Sequence, residues 1–226
     1  MSHNPADLEA FRRAVGKVSL PQFSPCPQAG VRVVALEGPN GAGKTTLGRR
    51  LSELLGAPFW LGTDEAWFSK PFKSRMIREA DWFTSAMFFL SGCFEQMRLL
   101  RNRPEPLIIL DRCLWSTLAV HAALEEQRLA RLVEMLQPIA SQIQVPHLTL
   151  VLEASFATCQ GRIGKKEGEA RALDELTASE QFHQREREFY RWLASRISPV
   201  EFLEVDRDTP EQLTPKASEL IRRHGC

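Results

Sequence analysis

A glycine-rich segment near the start of the chain has the residue types and the spacing that bind phosphate. Gly38, four further residues and then Gly43-Lys44-Thr45 fit the pattern G-x-x-x-x-G-K-[ST] without a mismatch. In this pattern, backbone N–H groups converge on phosphate oxygens, the lysine reaches the β- and γ-phosphates, and the threonine hydroxyl binds Mg²⁺. The segment therefore predicts a site for a nucleoside triphosphate, ATP, with Mg²⁺. The residues of this phosphate loop are Gly38, Pro39, Asn40, Gly41, Ala42, Gly43, Lys44, Thr45 and Thr46.

An acid and an arginine, Asp111 and Arg112, directly follow a second apolar segment at residues 107–110. The sequence has no N-K-x-D motif of the kind that reads guanine in GTPases, and mechanical ATPases usually place a water-polarising glutamate after the acid. An arginine in that place favours phosphoryl transfer, because a guanidinium stabilises negative charge on the transferred group. We therefore predict that Asp111 acts in catalysis by binding Mg²⁺ with Thr45 or by holding a bound water, and that Arg112 and an exposed Lys44 are catalytic. The alternative is a surface ion pair at the end of a strand.

Glycines and cations alternate in a segment of the second half of the chain, in the order Gly161, Arg162, Gly164, Lys165, Lys166, Gly168 and Arg171. Glycines allow hinge motion, and the cations can contact an anion when the segment closes. A lid that closes on ATP and excludes water needs both properties. We therefore predict a mobile lid at residues 161–173, with Arg162 and Lys166 as its catalytic cations. A solvated charged loop is the alternative.

Two acids, Asp64 and Glu65, follow a short apolar segment at residues 57–61. A carboxylate at the end of that segment can orient or deprotonate the hydroxyl that accepts the phosphoryl group. The alternative is that Asp64 caps a helix and Glu65 lies in its first turn. The sequence leaves open which of the two acids is the catalytic base.

Aromatic residues are concentrated between residues 59 and 94, which hold ten of the nineteen in the chain. Part of this set must be core, because residues 82–94 are apolar nearly all round. Trp67 and Phe68 instead lie among polar and basic residues, where base–aromatic stacking contributes about 1–3 kcal/mol per base. We therefore predict a small-molecule acceptor with a flat ring, a nucleobase above all. The aromatic residues predicted to border it are Trp67, Phe68, Trp82 and Phe83.

The elements that must position these residues alternate between strands and helices. Apolar runs predict strands at residues 31–36, 57–61, 107–110, 148–152 and 202–205. Between them we expect a loop at residues 66–75, one helix at 76–102, and a helix at 114–142 that Pro138 kinks or breaks. The alternation predicts an α/β fold whose parallel sheet is covered by helices on both faces. Ligands bind at the carboxyl ends of the strands in such sheets, where the candidate residues fall.

Composition is that of an ordinary globular protein and argues against several functions. The 226 residues carry a formal net charge of +1, so we expect neither a nucleic-acid nor a membrane partner. Five scattered cysteines form no C-x-x-C pair, which favours a reducing cytoplasm over a disulfide framework or a zinc site. The start has no signal peptide pattern, and no apolar run is long enough to span a membrane.

The chain divides into two parts by composition. We expect the catalytic domain at residues 31–226, preceded by an extension and linker at residues 1–30. This extension is a strap over the core, a partly disordered tail or a functional arm. Away from the motifs, we expect Cys113 to be a packing residue and His121 to lie at the surface.

Several segments of the sequence resemble one kinase family. Residues 111–121, DRCLWSTLAVH, resemble the thymidylate kinase segment D-R-Y-x-x-S-x-x-A-Y-Q, and residues 182–190, FHQREREFY, are similar to its F-F-x-R-V-R-x-x-Y helix. Glu37 and the phosphate loop also look like this family, and the lid onset at residues 158–167 resembles deoxynucleoside kinases. The resemblance implies a P-loop NTPase fold with a five-stranded parallel sheet, a lid over ATP, and transfer of the γ-phosphoryl group to a nucleotide or nucleoside.

The acceptor side departs from the family pattern. The family's T-R-E-P-G is TDEAW here, at residues 63–67, and the family's Asp-Arg pair falls near Ser91-Gly92. Two arginines that would hold an acceptor phosphate are therefore absent from those places. Either another cation replaces them or the acceptor carries no phosphate. The candidate replacements are Lys73, Arg75 and Arg78.

Three functions fit the sequence. The first is a cytoplasmic ATP- and Mg²⁺-dependent kinase of a nucleotide or nucleoside. The second is a kinase of another small hydroxyl metabolite, such as a sugar or an antibiotic, on the same scaffold. The third is a nucleotide-binding regulatory module with little turnover. The sequence does not give the acceptor or the oligomeric state, for which a homodimer is one alternative.

Overall fold

The computed structural model describes residues 5–25, 31–61, 70–100, 103–164, 178–197 and 199–226. Its helices are α1 (Pro5–Gly16), α2 (Lys44–Leu55), α3 (Lys70–Arg78), α4 (Trp82–Leu100), α5 (Leu114–Leu124), α6 (Glu126–Leu136), α7 (Phe156–Ile163), α8 (Glu180–Ala194) and α9 (Pro210–Arg223), with a 3₁₀ helix at Gln137–Gln142. Its strands are β1 (Ser24–Pro25), β2 (Arg32–Glu37), β3 (Phe59–Leu61), β4 (Leu107–Asp111), β5 (Gln144–Val145), β6 (Leu148–Glu153) and β7 (Val200–Glu204). Within these ranges, no helix has the length and apolar character that a membrane span requires.

Five of the strands form a parallel sheet in the order β3-β4-β2-β6-β7. At its centre, Val34 of β2 pairs with Ile109 of β4 and with Leu148 of β6. Every residue of β2 after Arg32 is buried, because helices cover both faces of the sheet and leave a central strand no exposed side. The expected five-stranded parallel sheet is confirmed.

Two hydrophobic cores lie on the two faces of this sheet. Alternate residues of β2 divide between them: Val33 and Ala35 belong to the first core, and Val34 and Leu36 to the second. Helices α1, α4, α5, α6 and α8 contribute to the first core, and α2, α7 and α9 to the second. The expected helical cover on both faces is therefore confirmed.

The N-terminal segment is part of the first core. Phe11 and Val15 of α1 are buried against α6 and α8, and Arg12 forms an ion pair with Glu188 of α8 at 2.8 Å. Strand β1 pairs in parallel with β5 in a separate two-stranded sheet. Residues 5–25 therefore cover the core rather than extend away from it.

The expected loop at residues 66–75 and the single helix at 76–102 are wrong where the structure describes them. Helix α3 already begins at Lys70, and a separate helix, α4, follows Asp81. The Asp81 carboxylate accepts hydrogen bonds from the N–H groups of Phe83 and Thr84 at 2.9 and 3.1 Å. An aspartate in this position satisfies the free N–H groups of a helix start, so it begins a new helix where periodicity alone suggested continuity.

The helical region 114–142 breaks earlier than expected. Glu125 has an extended backbone with φ −155° and separates α5 from α6, whereas Pro138 lies in the first turn of the 3₁₀ helix. Helix α5 is buried nearly all round, and α6 buries one face only. The chain therefore turns where a helix through the interior changes into a surface helix.

Candidate functional site

The phosphate loop connects the end of β2 to the start of α2, and its shape requires glycine. Gly38 and Gly41 have φ values of +118° and +84°, in the left-handed region that other residues rarely adopt. A Cβ atom on Gly38 would lie 2.5 Å from the carbonyl oxygen of Leu152, and one on Gly41 would lie 2.6 Å from that of Cys159. The loop is therefore packed tightly against β6 and α7.

Lys44, the first residue of α2, has its ammonium folded onto the loop. Its Nζ donates hydrogen bonds to the carbonyl oxygens of Gly38 and Pro39 at 2.8 and 2.7 Å. The residue is only 6% exposed, so the expectation of an exposed Lys44 is wrong. Burial, together with the nearby Arg112 guanidinium, lowers the pKa of Lys44 to about 7. The side chain is held by loop carbonyls that an incoming phosphate can replace as hydrogen-bond partners.

Thr45 and Asp111 bring two oxygens together beside the loop. The Thr45 hydroxyl donates a hydrogen bond to Oδ2 of Asp111 at 2.5 Å. Hydroxyl and carboxylate oxygens are ligands that Mg²⁺ prefers, and the ion usually binds through one or two protein oxygens together with substrate phosphates. In the part of the chain that the structure describes, no group of three or more His, Cys, Asp or Glu side chains could hold a metal alone. The Thr45–Asp111 pair thus fits Mg²⁺ that is shared with a nucleotide.

Arg112 reaches across the phosphate loop. Its Nη1 donates to the carbonyl oxygen of Gly38 at 3.3 Å and to the hydroxyl of Ser116 at 2.8 Å, and its Nη2 donates to Oδ1 of Asn40 at 2.5 Å. Its backbone has φ +80°, a conformation that costs about 1–3 kcal/mol in a non-glycine residue. The N–H group of Arg112 donates to the carbonyl oxygen of Leu36 at 3.0 Å. The chain thus holds Arg112 in a strained turn that aims its guanidinium at the loop.

Glu37, the last residue of β2, is a buried hydrogen-bond acceptor for the surrounding elements. Its carboxylate accepts from the backbone N–H of Cys113 at 2.9 Å and from the Tyr190 hydroxyl at 2.9 Å. The Ser116 hydroxyl donates to the same carboxylate. Sequence reasoning assigned no role to Glu37. An acid at the end of an otherwise apolar buried strand was the available signal, because such a charge needs partners.

Glu186 of α8 is a second buried carboxylate near the loop, and sequence reasoning missed it. It is only 3% exposed. Burial raises the pKa of Glu186, the charges of Arg112 and Lys44 oppose this, and Glu37 adds to it. No local motif marks Glu186, since it lies in a strongly charged helix where most acids are expected at the surface.

Arg162 is the part of the predicted lid that the structure describes beside the loop. It lies in the last turn of α7, and its Nη1 donates to the carbonyl oxygens of Gly41 and Ala42 at 3.2 and 2.9 Å. The structure therefore brings Arg162 to the phosphate loop, and its role as a catalytic cation of a lid stays a prediction. Residues 165–173 of the predicted lid, Lys166 included, lie outside the described residues.

The predicted acceptor side contains a group of aromatic contacts. Trp82 lies with its ring edge-on to Phe83, at 5.7 Å between centroids, and to His121, at 6.2 Å. The Arg128 guanidinium lies 5.5 Å from the Trp82 ring centre. His121 is buried, so the expectation that it lies at the surface is wrong. Burial, together with the Arg128 charge, lowers the pKa of His121 to about 4.

Other predicted acceptor residues do not come together. Arg75 is exposed and pairs with Glu79 one turn away at 3.2 Å, and Arg78 is exposed at the end of α3. Ser91 donates to the carbonyl oxygen of Phe88 in its own helix at 2.8 Å. The structure therefore places neither arginine in contact with the phosphate loop or Trp82. Four further candidates lie outside the described residues, and these are Asp64, Glu65, Trp67 and Phe68.

Comparison with known proteins gives the same fold. The model of the AAA domain family matches residues 33–190. A sequence comparison with curated proteins finds no match. Deoxyadenosine kinase from M. mycoides with bound dATP aligns with a TM-score of 0.65 and 19% identity over 84% of this chain and 99% of that one. Thymidylate kinase from Candida albicans aligns with a TM-score of 0.71 and 19% identity over 88% and 94% of the two chains.

The family match covers the residues that surround the phosphate loop. The family match spans the phosphate loop, the Asp111–Arg112 turn, Arg162 and the part of α8 that carries Glu186. At 19% identity, the solved structures support the fold and not the substrate. The chain belongs to the AAA domain family of P-loop proteins and has the α/β fold of thymidylate and deoxynucleoside kinases.

Proposed function

We propose that this chain is an ATP- and Mg²⁺-dependent kinase that transfers the γ-phosphoryl group to a hydroxyl of a nucleoside or nucleotide. The observation that carries the proposal is the convergence of the Asp111–Arg112 turn on the phosphate loop. Asp111 accepts from Thr45, and Arg112 donates to Gly38 and Asn40. An acid and a fixed guanidinium beside a triphosphate suit phosphoryl transfer, in which catalysis is mainly positioning and charge stabilisation.

The side chains in and around the phosphate loop would have different roles. Lys44 and Arg112 would exchange their loop carbonyl partners for phosphate oxygens and stabilise the transferred group. Thr45 and Asp111 would hold Mg²⁺, which neutralises phosphate charge when bound. Arg162 would contact phosphate from the lid side, with Lys166 and the rest of residues 161–173 as the proposed mobile lid.

The acceptor is proposed to carry a nucleobase. The relatives with this fold are named for deoxyadenosine and thymidylate. In this chain, Trp82 and Phe83 offer aromatic edges at the start of α4, and base–aromatic stacking is worth about 1–3 kcal/mol per base. Asp64 or Glu65 remains the proposed base for the acceptor hydroxyl, and Trp67 and Phe68 remain proposed wall residues.

A second candidate is a kinase of another small hydroxyl compound. Helix α4 would border the acceptor in this fold. Its residues 82–94 carry no charged side chain, which favours the second candidate. In the place where the resemblance puts an Asp-Arg pair, Ser91 bonds within its own helix and Gly92 is buried. Such an uncharged segment suits an acceptor without a phosphate group, which includes sugars and amino alcohols as well as nucleosides.

An ADP-release assay tests these proposals. The full chain is incubated with ATP, Mg²⁺ and a panel of nucleosides, nucleoside monophosphates, sugars and aminoglycosides. Release of ADP that depends on a nucleoside or nucleotide supports the first proposal. Release with only a sugar or aminoglycoside supports the second. Tight ATP binding with no release for any acceptor means a regulatory module and contradicts both kinase proposals.

The compartment is proposed to be the cytoplasm. The four cysteines that the structure describes are all free thiols, and three of them are buried. Free thiols are typical of a reducing compartment.

A further inference from the structure

Helix α8 presents three polar side chains to the carboxyl edge of the sheet. Nε2 of His183 lies 2.9 Å from the carbonyl oxygen of Ala154, just after β6. The Tyr190 hydroxyl donates to Oε2 of Glu37, at the end of β2, at 2.9 Å. Glu186 lies about one turn from each on the same face of the helix. The helix therefore places Glu186 between the ends of β2 and β6, where the phosphate loop leaves the sheet.

The surroundings of Glu186 supply charge rather than hydrogen bonds. Within the described ranges, its carboxylate forms no hydrogen bond or close ion pair, whereas the equally buried Glu37 accepts hydrogen bonds from three other residues. A buried ionised carboxylate is unfavourable unless opposite charge lies near it. The opposite charges that act on Glu186 are Arg112 and Lys44. These are the two cations that the phosphate loop would use on a nucleotide.

We propose that Glu186 is an internal counter-ion of the phosphate site, which attracts Lys44 and Arg112 before nucleotide binds and repels the phosphates afterwards. The inference rests on the proposed function, since it requires ATP to bind at the phosphate loop. Glu186 acts through the two cations and does not touch the reacting atoms, so it is a positioning residue. Its effect is to hold nucleotide affinity below what the cations alone would give, which favours the release of ADP after each transfer.

The resemblance to the thymidylate kinase helix gives a natural replacement for the test. In the motif F-F-x-R-V-R-x-x-Y, valine stands where this chain has Glu186. A short apolar side chain at this position is therefore compatible with a helix of this type. Removal of one charge from a buried group of opposite charges lowers stability in general, so the melting temperature of each variant is measured beside its nucleotide affinity.

Nucleotide affinities of the full chain test the proposal. Dissociation constants for ATP, ADP and AMP are measured by calorimetry at pH 7 for the wild type, Glu186→Gln and Glu186→Val. We expect both variants to bind ATP at least about tenfold more tightly, because like charges in a buried site repel strongly. The gain in affinity over the wild type is expected to be largest for ATP, smaller for ADP and smallest for AMP, because the phosphate charge decreases in that order. ADP should also become a stronger product inhibitor.

Glu188→Gln is the matched control. Glu188 lies two residues further along α8 and pairs with Arg12 and Arg191 on the outer side of the helix. Its neutralisation should leave all three dissociation constants unchanged. If the loss of any acid from α8 changed nucleotide affinity, Glu188→Gln and Glu186→Gln would shift the dissociation constants equally. That result would overturn the inference.

The outcomes separate this inference from the proposed function. A wild type that binds no ATP contradicts the proposed function itself. A wild type that binds ATP, with folded Glu186→Gln and Glu186→Val variants that bind it equally or more weakly, overturns only the role of Glu186. A merely structural role would weaken binding through lost packing, so tighter binding distinguishes the counter-ion from a packing residue. If Glu186→Gln melts well below the wild type, Glu186→Val decides the question.

Discussion

The phosphate loop and the proposed acceptor side around Trp82, called the acceptor side below, are built from different groups. On the phosphate side, Lys44, Arg112 and Arg162 all donate to carbonyl oxygens of one short loop. On the acceptor side, Trp82 contacts Phe83, His121 and Arg128, which come from α4, α5 and α6. The first side therefore depends on the backbone of one segment, and the second on side chains that packing brings together.

This difference predicts different responses to mutation. A backbone loop needs a few residue types at fixed spacing, so a change on the phosphate side should affect every acceptor equally. On the acceptor side, where side chains come from several helices, one residue can be changed without altering the others. A change there should alter the choice and affinity of the acceptor while ATP binding persists.

The largest effect is expected from Lys44→Ala. Loss of the ammonium should lower turnover at least about 10²–10³-fold with every acceptor, as loss of a main charge-stabilising donor does. The melting temperature should stay level or rise, because burial lowers the pKa of Lys44 to about 7 and its charge is unfavourable there. Turnover and thermal melting are measured together, with Lys216→Ala, an exposed lysine paired with Asp208, as the control. Wild-type turnover by Lys44→Ala would exclude the phosphate-loop assignment.

A somewhat smaller effect is expected from Arg112→Lys. A lysine keeps the charge but cannot form the forked contacts of Arg112 with Gly38, Ser116 and Asn40. We expect kcat to fall by about 100-fold, with a much smaller change in the KM for ATP. The control is Arg98→Lys, an exposed arginine paired with Glu95 on α4. Equal losses in the two variants would contradict a specific role for the Arg112 fork.

On the acceptor side, Trp82→Ala should have a moderate and selective effect. Loss of one stacking surface should raise the KM for the best acceptor about tenfold, within the 1–3 kcal/mol range of base–aromatic stacking. The dissociation constant for ATP should not change. A parallel loss of ATP affinity in Trp82→Ala would remove the distinction between the two sides.

The smallest effect on turnover is expected at His121, whose titration acts on the pH dependence of stability. Burial lowers its pKa in the folded state from 6.5 to about 4, so the folded protein favours the neutral imidazole. The unfolded chain therefore binds the proton first as pH falls, and His121 should reduce stability by about 1 kcal/mol per pH unit between pH 6.5 and about 4. Chemical denaturation at several pH values should show a flatter profile for His121→Gln than for the wild type. Parallel profiles would mean that His121 is not buried in its neutral form.

Sequence alone determined the phosphate side and the class of the fold. The loop pattern from Gly38 to Thr45 requires left-handed glycines and a following helix, and both conditions are local. Strands such as β2 and β4 are continuous apolar runs because a central parallel strand is buried on both faces, so their number and order in the chain could be predicted. The acids and arginines at their ends then fall at the carboxyl edge of the sheet by geometry alone.

Only the tertiary structure decided which charges from distant segments reach this edge. Glu37 directly precedes the loop in sequence, whereas Glu186 lies 149 positions after Glu37, yet both act on Lys44. Whether an acid of a charged helix such as α8 faces solvent or the site depends on the rotation of that helix against α5 and the sheet. His121 is likewise buried because α4 and α6 cover it. Packing between distant segments sets the orientation of each helix, and hydrophobic periodicity within one segment does not predict that orientation.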